Sequence, residues 1–295
     1  MKRILFASAA IVALAATSAL AADIDVKAPT PPAPPAPVAS WTGCYIGVNA
    51  GWTGSGDRYA LAPSGNYLIP PGFFAPPSAT GTGDFASDRA LLTHSYSNDG
   101  GGALVGGQIG CNLQIGQFVF GAEADEQWTS LKNSFTASYA AFTNAGNPLF
   151  TDSAHTEQAS SSLEGLATVR GRIGYAWDRW LLFATGGLAV GEIRSQTNVT
   201  FATTGNLFAV YDGATHIGSV TTTRIGWAVG AGAEYAIASH WSVKAEFLYI
   251  DLGTYAYTTP LVTAGVGVVA TGYTWSTTVR ERDEVARVGL NYRFN

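Results

Sequence analysis

Hydrophobic side chains fall on every second position in eight stretches of this chain, near residues 41–52, 103–115, 117–128, 163–176, 179–193, 223–236, 240–252 and 282–294. Period two marks a β-strand with one oily and one wet face. The last stretch shows it most clearly. Ala286, Val288, Leu290, Tyr292 and Phe294 hold one parity, and Arg287, Gly289, Asn291 and Arg293 hold the other. A strand lying between lipid and a polar interior has this form. The same parity rule assigns outward faces elsewhere, for example Cys44, Ile46, Val48, Ala50 and Trp52, or Trp241, Val243, Ala245, Phe247 and Tyr249.

The connections alternate in length. Those after the second, fourth and sixth stretches are a few residues each: Ile115-Gly116-Gln117, Trp177-Asp178 and Ile237-Ala238-Ser239. Those after the first, third, fifth and seventh are long, roughly 53–102, 129–162, 194–222 and 253–281. Short turns on one side and long loops on the other predict a closed eight-stranded antiparallel transmembrane β-barrel, with turns in the periplasm and loops outside. An even strand number permits closure without free edges. Aromatics near segment ends, such as Trp52, Trp128, Tyr175, Trp180, Tyr235 and Tyr249, predict two interfacial girdles. Tyr292 and Phe294, at the end of the final strand, predict the signal by which the barrel-assembly machinery recognises such chains.

The N-terminus adds export. Lys2 and Arg3 precede an apolar run from Ile4 to Ala16, and Ala19-Leu20-Ala21 fits a small-x-small cleavage site. Met1–Ala21 is therefore expected to be a cleaved signal peptide, 22–40 a proline-rich periplasmic tether or a merely disordered tail, and 41–295 the barrel domain. Charged residues are only 13% of the chain, which suits a wall facing lipid better than one facing water. Removing the signal takes away two cations, so Lys+Arg falls from 16 to 14 against 21 Asp+Glu, a net charge of −7. That balance argues against a nucleic-acid partner. The expected surroundings are outer-membrane lipid and lipopolysaccharide.

Charge on the inward parity is the main candidate chemistry. Glu123 and Asp125 lie on the third stretch, Arg170 and Arg172 on the fourth, and Glu234, Lys244, Glu246 and Arg287 further round. Buried charge must be paired, so these predict a lumen ion-pair network. It is open whether that network is a gate for small solutes or a plug. Cys44 and Cys111 share the outward parity of adjacent strands at the periplasmic end, where a disulfide or two misaligned thiols are both open readings. Catalysis finds little support. His94, His155 and His216 are expected to be dispersed in long loops and His240 at a turn, and no HExxH, CxxC or EF-hand spacing occurs. No enzyme activity, metal site or cofactor is expected. The long loops, rich in Gly, Ser, Thr and aromatics, are either bland surface coil or recognition elements for host surfaces or haem.

Several stretches together resemble the RopB-type small outer-membrane proteins, among the opacity-type and OmpA-like barrels of alphaproteobacteria. They are Trp41-Thr42-Gly43-Cys44-Tyr45-Ile46-Gly47, Phe120-Gly121-Ala122-Glu123, Val169-Arg170-Gly171-Arg172-Ile173-Gly174-Tyr175, Gly230-Ala231-Gly232-Ala233-Glu234-Tyr235 and Val288-Gly289-Leu290-Asn291-Tyr292-Arg293-Phe294. The resemblance implies an eight-stranded outer-membrane barrel serving as a porin-like protein or an abundant surface antigen, with haem binding in some relatives. It supplies no catalytic residues. Cys44 stands where the family more often has Phe, and Asn295 follows the terminal aromatic.

Overall fold

The computed structural model describes residues 40–64, 89–143, 151–205, 209–210, 212–263 and 274–294. The signal and tether lie outside them. Among the described residues, eleven strands form: β1 (Gly43–Ser64), β2 (His94–Ile115), β3 (Phe118–Tyr139), β4 (Phe142–Thr143), β5 (Thr151–Asp152), β6 (His155–Trp177), β7 (Trp180–Phe201), β8 (Ala209–Val210), β9 (Thr215–Ala236), β10 (Trp241–Thr263) and β11 (Thr274–Phe294). The eight long ones close into a barrel in the order β1-β11-β10-β9-β7-β6-β3-β2, every pair antiparallel. The short β4, β5 and β8 make a separate three-stranded sheet. Closure joins the ends of the barrel domain, with Cys44 paired to Phe294 and Ile46 to Tyr292.

Residues that would be buried in a water-soluble protein are turned outward here. Val48 is 63% exposed, Ile109 58%, Val169 62% and Ile225 71%. A continuous oily belt of this kind needs lipid around it. Aromatic rings mark its edges. Trp52, Trp128, Trp227 and Tyr249 stand at the upper rim, and Phe118, Tyr175, Trp180, Tyr235 and Trp241 at the lower. The lipid-spanning part of β1 is thus 44–52, and that of β11 is 286–294.

The strands are about twice as long as their hydrophobic alternation. They continue above the upper rim, so much of what the sequence assigns to loops is barrel wall: β1 runs on to Ser64, β3 to Tyr139, β7 to Phe201 and β10 to Thr263. Above the lipid the outward positions are polar, as in Lys132, Ser134, Thr136, Gln158, Ser160, Arg194, Gln196, Thr221, Thr254 and Thr258. Pairing persists there without an apolar outer face, and the hydrophobic signal fades. Two strands also change phase. On β6 the inward parity passes from Leu166, Thr168 and Arg170 to Leu163, Ser161 and Ala159, across a register shift at Leu163/Gly165. On β10 it passes from Lys244, Glu246 and Leu248 to Tyr255 and Tyr257, across a shift at Asp251/Gly253. A bulge inserts a residue and reverses which parity faces in.

The interior is packed in layers. At the periplasmic end Trp41, Val119, Ala176, Leu181, Phe183 and Ala236 cluster. A charged layer follows. Above it lies an apolar layer that includes Leu104, Leu131, Leu163, Ile193, Leu248, Ile250, Leu252 and Val285. Glycines let neighbouring strands approach closely around this curved wall. A Cβ on Gly226 would meet the Asp251 carbonyl oxygen at 1.9 Å, so that contact accepts no side chain.

Candidate functional site: an ion-paired lumen

All eight inward charges named from parity are buried within the lumen: Glu123, Asp125, Arg170, Arg172, Glu234, Lys244, Glu246 and Arg287. Four are cationic and four anionic, so the layer balances at 4 − 4 = 0. Arg170 is its centre. It reaches from β6 across the barrel and donates Nη1 to Glu246 Oε1 on β10 at 2.7 Å. Its Nη2 donates to Glu123 Oε1 at 2.8 Å and to Asp125 Oδ2 at 2.6 Å, and its Nε to Thr168 Oγ1 at 2.8 Å. Lys244 Nζ donates to both Glu123 oxygens, at 2.7 and 2.8 Å. Arg287 donates Nη2 to Glu246 Oε2 at 2.6 Å and to Asp125 Oδ2 at 3.0 Å.

A second knot sits toward the periplasm. Arg172 donates Nη2 to Glu234 Oε2 at 3.0 Å and lies over the Phe183 ring, 4.0 Å from its centroid. Ser242 and Asn291 donate to the other Glu234 oxygen. Tyr45 joins the two knots. Its hydroxyl donates to Glu123 Oε2 at 2.5 Å and accepts from Arg172 Nη1 at 3.0 Å. Sequence parity does not single out Tyr45, Ser242 or Asn291. Tyr45 does occupy the inward parity of β1, a costly place for a phenol without a polar partner, and that was the available signal. The arrangement gives each carboxylate several charge-assisted donors.

Cys44 and Cys111 stand opposite each other in the β1–β2 ladder, and their sulfurs are joined. The bridge spans 67 residues of sequence, and a disulfide typically contributes about 2–4 kcal/mol of stabilisation. We expect the Cys44→Ser/Cys111→Ser double variant to fold but to lose about 2–4 kcal/mol of unfolding free energy, read as a lower urea midpoint. Equal midpoints with and without reductant would show that the bridge contributes nothing. Tyr292 and Phe294 point outward at the lower rim, where Tyr292 packs edge-on against Trp241 with centroids 5.0 Å apart.

A third group lies above the lipid rim. Asp57, Glu281 and Asp283 are buried together inside the upper barrel. Burial pushes the Asp57 carboxyl up to about 6, although Asn133, the Arg282 backbone N–H and Ser161 donate to it. Burial and the neighbouring carboxylates push Glu281 and Asp283 well above the usual carboxylate range. Neither Asp283 oxygen has a hydrogen-bond partner among the described residues.

The histidines depart from the sequence expectation. His94 opens β2, His155 opens β6 and His216 is the second residue of β9, so all three belong to the barrel wall rather than to loops. His94 and His155 converge on Glu157, although 61 residues separate them along the chain and β3 lies between their strands. Sequence spacing carries no trace of such a meeting. His240 lies at the periplasmic turn and stacks near Tyr292.

A sequence profile of the outer membrane protein β-barrel domain matches residues 7–294. The 31 kDa outer-membrane immunogenic protein of Brucella melitensis is 34% identical over 297 residues, covering 100% of both chains. The 22 kDa outer membrane protein of Rhizobium leguminosarum bv. viciae is 26% identical over 171 residues, 57% of each. Among solved structures, the outer membrane protease OmpT of Escherichia coli aligns at a TM-score of 0.40 and 12% identity, over 85% of this chain and 97% of that one. Neisserial surface protein A aligns at 0.29 and 12%, over 84% and 97%. The profile match over nearly the whole chain and the full-length Brucella relative agree with the oily belt and the closed sheet: the chain belongs to the outer membrane protein β-barrel domain family and resides in the outer membrane.

Proposed function

We propose that this protein is a structural surface barrel that neither conducts nor catalyses. The observation that carries this reading is the charge-balanced layer around Arg170, which fills the lumen between two apolar layers. A water-filled pore needs unpaired polar walls and space, whereas eight strands enclose an interior about as wide as the side chains that fill it. Each cation here already has carboxylate partners at hydrogen-bond distance, so a passing ion would have to break several charge-assisted bonds at once. The Brucella relative is known as an outer-membrane immunogenic protein, which fits a protein displayed at the surface.

Planar-bilayer recording of the refolded barrel tests the reading. The expected result is silence from protein that is demonstrably folded. Discrete, reproducible openings whose ion selectivity changes in Arg170→Met would overturn it and make the network a gate.

A further inference from the structure

We propose that His94, His155 and Glu157 form a binding site for a divalent transition-metal ion of the zinc class at the medium-facing end of the barrel. One ligand atom from each residue lies within 4.8 Å of the other two. His94 Nδ1 is 2.9 Å from Glu157 Oε1, and His155 Nε2 is 3.3 Å from the same oxygen. A tetrahedral ion with bonds of 2.0–2.1 Å spaces its ligand atoms about 3.3 Å apart, so small side-chain shifts suffice to admit one. Two imidazoles and one carboxylate select zinc, cobalt, nickel or copper over calcium and magnesium, which prefer oxygen.

The surroundings are those of a held site. Glu157 and His155 are buried, and the His94 side chain is 18% exposed, which leaves an approach from the medium. Tyr96 donates its hydroxyl to the second Glu157 oxygen at 2.6 Å and so fixes which oxygen faces the histidines. The Tyr139 ring stacks on both imidazoles, with centroids 3.8 Å from His94 and 4.9 Å from His155.

The site would do mechanical work. His94 begins β2 directly after residues 89–93, and His155 begins β6 directly after residues 151–154. One ion would tie these two strand starts together across β3. Three protein ligands also leave a fourth position for water or for a donor from a surface partner.

The test uses the untagged barrel refolded in detergent and dialysed against micromolar zinc, with bound metal measured by elemental analysis. One ion per barrel is expected, and cobalt in its place should give the visible absorption of a four-coordinate site. His94→Gln and Glu157→Gln should each weaken affinity by more than about 100-fold, and Tyr96→Phe by about 10-fold. His240→Gln, at the exposed turn, should bind like the parent. Strand circular dichroism and compact migration on an unheated gel establish that each variant is folded. If the buried Glu157→Gln fails to fold, the partly exposed His94 carries the decision. No retained metal in the folded parent, or parental affinity in folded His94→Gln, would overturn the proposal.

Discussion

Arg170→Met should cost the folded barrel about 3–5 kcal/mol, the loss expected when one partner is taken from a buried ionic cluster. The substitution keeps an unbranched apolar stem but removes the guanidinium donors that Glu123, Asp125 and Glu246 share. Those carboxylates cannot turn to water, because they are buried on every side. The penalty is therefore the desolvation of charges left short of partners, more than the absence of one attraction. A second substitution separates the two. In Arg170→Met/Glu246→Met the layer keeps 4 − 1 = 3 cations and 3 anions, and much of the loss should return. Urea titration in lipid vesicles, followed by tryptophan fluorescence, reads both variants. A single-variant loss under about 1 kcal/mol would mean that the network behaves like solvated surface pairs.

The second large effect concerns the carboxylates above the lipid. Asp57, Glu281 and Asp283 all have folded-state values above their unfolded ones. The folded barrel therefore holds protons that the unfolded chain releases. Stability from these groups is complete below about pH 4 and is lost as pH rises through the folded values, from 3.8 to about 6 for Asp57 and beyond that for the other two. Glu157 acts in the opposite direction, since its value is lowered, and its contribution is lost on acidification. Asp283→Asn removes a carboxylate that has no donor among the described residues. It should gain about 1–3 kcal/mol at pH 8, little at pH 4, and flatten the slope between them. Unfolding midpoints across that range decide the matter. An unchanged slope would show that the three carboxyls are solvated or already neutralised.

Much of the barrel was legible because lipid imposes a strict rule. Wherever the outer face must be oily, alternation from Ile46 to Trp52 or from Ala286 to Phe294 states the strand, its face and its span at once. The rule stops at Trp52, Trp128 and Ile225. Beyond them Ser134, Thr136, Gln196 and Thr258 face water, so paired wall and loop look alike in sequence. The phase reversals on β6 and β10 add to this, since they place Leu163 and Tyr255 inward on the parity that faces lipid lower down. The lumen charges follow the same logic. Glu123 and Arg170 are direct neighbours in the β3–β6 ladder, a pairing that parity and adjacent order suggest. The reach of Arg170 to Glu246, past β7 and β9, depends on barrel diameter and rotamer, which no local pattern encodes. The meeting of His94 with His155 depends on register summed over three strands.

The continuation of the wall above the lipid gives the protein height. From Trp52 to Ser64, twelve residues at about 3.3 Å each and tilted about 40° lift the rim about 30 Å above the membrane surface. A barrel that ended at its girdle would present its loops within the sugar layer of the surrounding lipopolysaccharide. This one is a pedestal, with a hydroxyl-rich shaft of paired strands rising from the membrane surface. Removing matched pairs of residues from the shaft should therefore lower the height of the strand ends above the membrane while leaving the lipid-spanning belt unchanged.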